Sequence, residues 1–317
     1  GINTTLYLTI MGSSVIQYLI KFVLFCLIIP FDFISWIIKK LKKEKVKFYS
    51  KVRKWRSIML KSAFFLYLFG FILMGYGMIF VAEEFVTREI ELETNNPIFK
   101  ENPTKIVLIS DLHLATWRSE KPVKDLISKV NQLHPDYIFF GGDLVQFTSK
   151  EMDPYLSLLK TIKAKKGIYS VLGNHDYATY AHFENETEQN NDVLRLVDLQ
   201  QQMGWHVLRN ESERIIVDST GLSFVIAGIE FYSPTKMFIN KGNIEQTYQN
   251  IKKEDFVLLL SHSPEIWDSL KVKNLPAFLT VSGHTHGMQI GYYGTKHKWS
   301  PGSLLYKYWG GLYQDAP

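Results

Sequence analysis

Apolar positions along the chain fall into two regimes, and the first ends at Ala82. Up to there they come in long runs: from Gly1 to Phe31 the only charged side chain is Lys21, and the 21 residues from Ser62 to Ala82 carry none. About 20 consecutive apolar residues match the hydrocarbon thickness of a bilayer. The pattern predicts two membrane spans, about 6–29 and 61–82, with Pro30 ending the first. "AFFLYLFGFILMGYGMIFVA" is apolar on every face, which a helix packed at the surface of a soluble core is not. Lys21 must snorkel or face a partner. The first run is too long for a signal peptide, and no small-residue cleavage site follows it. Because the sequence starts at Gly1 and not at Met, a preceding segment is expected.

Beyond Ala82 the apolar runs shorten and acquire a period. "REIELET" (88–94) alternates apolar and charged residues and predicts a strand. From Lys105 onward, short runs rich in Ile, Val and Phe predict strands at 105–110, 137–143 and 168–176, with helices at 122–133, 155–164 and 184–204. The rest is richer in strands, at 206–209, 213–217, 223–228, 256–260 and 277–282, with one helix at 243–252. Strand-helix alternation with added antiparallel strands predicts a single α/β layered domain with mixed sheets over 83–317, preceded by transmembrane helices in 1–82.

Charge sharpens this division. Residues 39–61, read as a basic loop over 39–60 and the start of the second span, hold 11 Lys and Arg against the single acid Glu44. Of the chain's 36 basic and 31 acidic residues, 12 and 2 fall within 1–82, leaving 24 and 29 beyond, so the net charge of +5 comes from the membrane region alone. A nucleic-acid contact is one reading of such a stretch. Between two spans it is first a topology signal, and it suits anionic headgroups. Short basic loops stay in the cytoplasm, so the second span runs outward and the following domain is expected on the extracytoplasmic side of a bacterial cytoplasmic membrane. Cys26, the only cysteine, lies in the first span, which excludes disulfides and thiolate metal sites from the domain.

Residues with chemistry collect at the carboxyl ends of predicted strands, where open α/β sheets bind ligands. "ISDLHL" offers Asp111 and His113, "FFGGDLV" Asp143, "VLGNHDY" Asn174, His175 and Asp176, "LLLSHSP" His262, and "VSGHTHG" His284 and His286. Each has a plain alternative: Asp143 as a turn or helix cap, Asn174 as turn chemistry after Gly173, His262 as a cap before Pro264. On a strand His284 and His286 would share a face; in a loop they could reach two neighbouring points. Five of the nine histidines fall in these motifs, and joint placement is what argues against coincidence.

The order D-x-H, G-D, G-N-H-D, H and G-H-x-H, spread over about 105–290, resembles the calcineurin-like binuclear metallophosphoesterases, and "SDLHL", "GNHDY" and "GHTHG" followed by Gln289 resemble their bacterial membrane-associated branch. The resemblance implies a four-layer α/β/β/α sandwich with two divalent transition-metal ions, Mn, Fe or Zn, at the strand ends. Carried over, Asp111, His113 and His286 bind one ion, Asn174, His262 and His284 the other, and Asp143 bridges them. It also implies a two-metal hydroxide mechanism on a phosphomonoester or phosphodiester, lipid-linked esters included, with no nucleic-acid partner. His175 would stabilise the transition state or protonate the leaving oxygen, and Asp176 would orient its ring. A UDP-2,3-diacylglucosamine pyrophosphatase of lipid A synthesis is the alternative enzyme, and a non-catalytic binding module the alternative class. Met288 departs from the expected glycine. Family domains continue beyond the "GLY" at 311–313 with strands that complete a sheet, so the domain is expected to be C-terminally incomplete.

Overall fold

The computed structural model describes residues 4–41, 46–81, 83–217, 221–235, 238–289, 291–293 and 297–314, and the chain divides into two compact units, Gly1–Arg88 and Glu89–Pro317. In the first, helix α1 (Thr4–Leu41) is followed by α2 (Val46–Tyr76) and a π-helical turn, Gly77–Val81. Pro30 lies inside α1 and does not end it. Proline removes one intrahelical hydrogen bond, a loss that long apolar helices tolerate. The basic stretch is likewise not a loop beyond residue 45: residues 46–60 are helical, because Lys and Arg are good helix formers and extend the apolar run backwards. Residues 42–45 and Ala82 lie outside the described residues.

Ser50–Tyr76 is long and apolar enough to cross a membrane, and none of its apolar window is buried among the described residues, with Phe65 and Phe69 each 65% exposed. Asp32 of α1 receives a two-pronged bond from Arg56 of α2, 2.9 Å from Nε and 3.1 Å from Nη2. The strand expected at "REIELET" is absent: residues 84–96 have neither helix nor strand, and Val86 and Ile90 are exposed. Alternation gives a strand only where a neighbouring strand supplies the ladder and a core covers one face.

In the second unit Asn96 caps the short helix α3 (Pro97–Glu101), accepting from the Ile98 N–H. Strands β1 (Ile106–Ile109), β2 (Tyr137–Phe140), β3 (Gly167–Ser170) and β4 (His206–Val207) form a parallel sheet in that order. A second sheet runs β5 (Glu211–Ile216), β6 (Ser223–Ile229), β7 (Val257–Ser261), β8 (Leu279–Val281), with β5 antiparallel to β6 and the rest parallel. Helices α4 (Lys121–Gln132), α5 (Leu156–Leu159) and α6 (Glu186–Gln202) belong to the first sheet, α7 (Ile244–Tyr248) and α8 (Ile266–Lys273) to the second; β9 (Tyr292–Tyr293) and β10 (Lys298–Trp299) form a small hairpin.

Side-chain alternation builds the layers. Tyr137, Phe139, Tyr169 and Val171 pack with Phe224, Ile226, Leu258 and Leu260 between the sheets. The intervening residues Ile138, Phe140 and Ile168 face outward onto Val123, Ile127 and Val130 of α4 and Leu196 and Leu199 of α6. On the far side Val225, Ala227, Val257 and Leu259 pack on Ile244, Tyr248, Ile266 and Leu270. The result is a four-layer α/β/β/α sandwich. The helix expected over 155–164 shrinks to one turn, because Asn131 of α4 takes the chain in hand: its Nδ2 donates to the Thr161 carbonyl at 2.8 Å and its Oδ1 accepts from the Lys163 N–H at 2.8 Å.

Candidate metal centre

Five strands, β1, β2, β3, β7 and β8, end in the loops that carry the candidate residues. The backbone there is unusual: Asp111 (φ 57°), His113 (43°), Asp143 (54°), His284 (75°) and His286 (49°) all sit in the left-handed region. For non-glycine residues each such conformation costs on the order of 1 kcal/mol and persists where packing over-determines it. Neighbouring glycines leave the room. A Cβ on Gly173 would lie 2.1 Å from Asp143 Oδ1, and one on Gly283 would lie 2.2 Å from Asp111 Oδ2.

These turns bring the side chains together. One ligand atom each from Asp111, His113, Asp143 and His286 lies within 4.8 Å of the others. His286 Nε2 is 3.2 Å from Asp111 Oδ1 and 3.1 Å from His113 Nε2. Asp143 Oδ2 stands 3.6 Å from His113 Nε2 and 3.2 Å from His262 Nε2. His284 follows: its ring centroid is 5.1 Å from that of His262, and its backbone N–H donates to Asp111 Oδ1 at 3.0 Å. Ligand atoms around one cation at about 2.0–2.2 Å are separated by roughly 3–3.5 Å, the spacing of the His286–Asp111, His286–His113 and His262–Asp143 pairs.

The donor chemistry fits a cation as well. Asn174 Oδ1 and His262 Nε2 are buried without a hydrogen-bond partner, and His113 turns its Nε2 toward Asp143 and His286. His262 Nδ1 donates to the Gly141 carbonyl at 2.7 Å, which turns Nε2 toward Asp143 as the nitrogen that a cation would take in place of a proton. Burial holds His113 and His284 down to about 4, neutral and able to coordinate at pH 7. Burial opposes charge on His262 too, but the Asp143 and Asp111 carboxylates beside it raise it to about 10. Asp143 is buried, yet His262 holds it below the usual carboxylate range.

His175 stands at the edge of this group, its ring 4.7 Å from that of His113. Its orientation comes from Gln146, whose carbonyl accepts from Nδ1 at 2.8 Å, and not from Asp176 as expected. Asp176 is instead a strap between two strand ends, accepting from the N–H groups of Asp143 (2.8 Å), Leu144 (2.9 Å), Val145 (3.2 Å) and Gly173 (2.9 Å). Burial, then the Asp143 charge, push it up to about 7. Glu151 similarly accepts from the N–H groups of Ala115, Gln146, Phe147 and Thr148. Gln146, Glu151 and Tyr180, which packs on His175, were not legible in the motifs; only the aromatic following closely on "GNHDY" offered a signal.

Residues 104–288, which include every one of these candidates, match the Metallophos family of calcineurin-like phosphoesterases. The chain is 28% identical over 305 residues to an uncharacterized metallophosphoesterase of Helicobacter pylori, covering 94% of this chain and 71% of that protein. It is 25% identical over 223 residues to a transmembrane protein with metallophosphoesterase domain of Danio rerio, covering 69% and 48%. With the uncharacterized metallophosphoesterase YkuE of Bacillus subtilis it shares 28% identity over 188 residues, 59% of each chain.

Proposed function

The chain belongs to the calcineurin-like phosphoesterase family and is a metal-dependent hydrolase of phosphate esters; from that premise we propose a membrane-anchored enzyme that uses two divalent transition-metal ions on a phosphomonoester or phosphodiester at the outer face of a bacterial cytoplasmic membrane. Asp111, His113 and His286 hold one ion, Asn174, His262 and His284 the other, with Asp143 between them. The observation that carries this reading is the single Asp143 oxygen, Oδ2, which lies near both His113 (3.6 Å) and His262 (3.2 Å) and so serves both groups. When bound, such ions polarise phosphoryl oxygens and acidify a coordinated water.

The remaining work falls to the protein. The left-handed turns fix the directions of the ligand side chains. His175 has its Nδ1–H committed to the Gln146 carbonyl, which leaves Nε2 to carry a proton to the leaving oxygen. The apolar helix Ser50–Tyr76 supplies the anchor, and an envelope phosphoester, a lipid or wall-polymer phosphate, is the substrate class an outward domain can reach. The test uses the full chain in detergent, with metal analysis and turnover of bis-p-nitrophenyl phosphate and its monoester. Two ions per chain are expected, and Asp143→Asn should weaken both sites. Activity that survives both chelation and this substitution would overturn the reading.

A further inference from the structure

Tyr180 lies outside every motif, yet it touches two of the residues above. Its ring stacks on the His175 imidazole, with centroids 4.3 Å apart and planes at 30°. Its hydroxyl is 3.1 Å from Asn174 Nδ2, while Asn174 Oδ1 is buried and without a hydrogen-bond partner. An asparagine amide offers a cation only its oxygen, since its nitrogen presents hydrogens. Here the phenol oxygen accepts from the NH2, which holds the amide with Oδ1 turned away from Tyr180 and available to an ion. Tyr180 itself is 48% exposed, so its neighbours do not depend on it to fill the core.

We infer that Tyr180 is a positioning residue for both Asn174 and His175: its hydroxyl fixes the Asn174 amide with Oδ1 free for the second ion, and its ring backs the His175 imidazole. The inference rests on the two-ion reading above. Groups that orient a metal ligand typically contribute 10- to 100-fold in affinity, and two substitutions separate the hydroxyl from the ring. Tyr180→Phe keeps the stack and loses the hydrogen bond; Tyr180→Leu loses both.

The experiment titrates Mn(II) into the chelator-stripped full chain in detergent, counting free Mn(II) by electron paramagnetic resonance, and then measures turnover at saturating Mn(II). Tyr180→Phe is expected to bind the first ion as the unsubstituted chain does and the second about 10- to 100-fold more weakly, with turnover recovered once Mn(II) saturates. Tyr180→Leu should show the same weakened second site but stay slow at saturation. Unchanged thermal unfolding of the stripped variants would separate this from a general loss of structure. Unaltered binding of both ions by Tyr180→Phe, or equal weakening of both, would overturn the inference. Failure of the unsubstituted chain to bind two ions would instead overturn the two-ion reading on which it stands.

Discussion

His175 and His262 are both strand-end histidines, but their surroundings give them different work. His262 is fully buried, with Nδ1 fixed by the Gly141 carbonyl and Nε2 facing Asp143, whereas His175 lies at the rim with its Nδ1 on Gln146. His262→Ala should therefore lose metal, while His175→Ala should keep most of it and lower turnover by roughly 10² to 10⁴, as loss of an acid-base group does. Metal analysis beside turnover checks this; an emptied site in His175→Ala or two retained ions in His262→Ala would contradict it. A proton and a cation also compete for the same His262 lone pair. Because the folded protein raises His262 from its ordinary range to about 10, that proton is present at neutral pH and must leave when an ion binds. Affinity should rise with pH, roughly tenfold per unit around neutrality for one displaced proton, and pH-independent Mn(II) binding would refute it. At this scale the sequence was most readable where the side chain itself does the chemistry. Gln146 acts through its backbone carbonyl and Tyr180 through proximity created by the fold, and neither leaves a mark in a motif.

Elements were legible where period and core agreed. The run "YIFFGGD" became a buried parallel strand and "KIVLIS" a half-buried edge strand beside it, because alternate residues meet the opposite sheet on one side and helices on the other. "REIELET" has the same alternation but no partner, and α5 is cut short by long-range bonds from Asn131 that no local pattern encodes. Helix α8 escaped notice because only Ile266 and Leu270, four residues apart, are buried along it. What joins the elements at the site is Asp176, whose carboxylate takes four N–H groups from the ends of β2 and β3. Asp176→Asn puts an NH2 donor where one of the oxygens accepts from backbone N–H groups. It should cost about 3 kcal/mol, which lowers Tm by roughly 6 to 12 °C in a domain of this size, and it should weaken metal binding because the Asp143 backbone loses its tether. Thermal unfolding of the chelator-stripped protein measures the first effect; an unchanged Tm would mean that the strap carries no load.

For the whole molecule the decisive pattern is the asymmetry of charge along α2. Lys47, Lys51, Arg53, Lys54, Arg56 and Lys61 all lie in its first half, and no charged residue follows from Ser62 to the end of the helix at Tyr76. Such asymmetry holds the basic end of a span in the cytoplasm at a cost that translocating many cations would otherwise impose. The proposed orientation depends on which end of the apolar run carries the cations and not on whether those residues form a loop or, as here, a helix. It also bears on chemistry. An outward domain has no access to a cytoplasmic nucleotide-linked lipid, which ranks an envelope phosphoester above a UDP-lipid pyrophosphatase activity. Reporter fusions after residue 90 in a bacterial host decide the orientation: alkaline phosphatase there should be active and a cytoplasm-dependent fluorescent protein dark. A bright fluorescent fusion with inactive phosphatase would reverse the topology, leave the metal centre's geometry untouched, and make the nucleotide-linked lipid the first substrate to test.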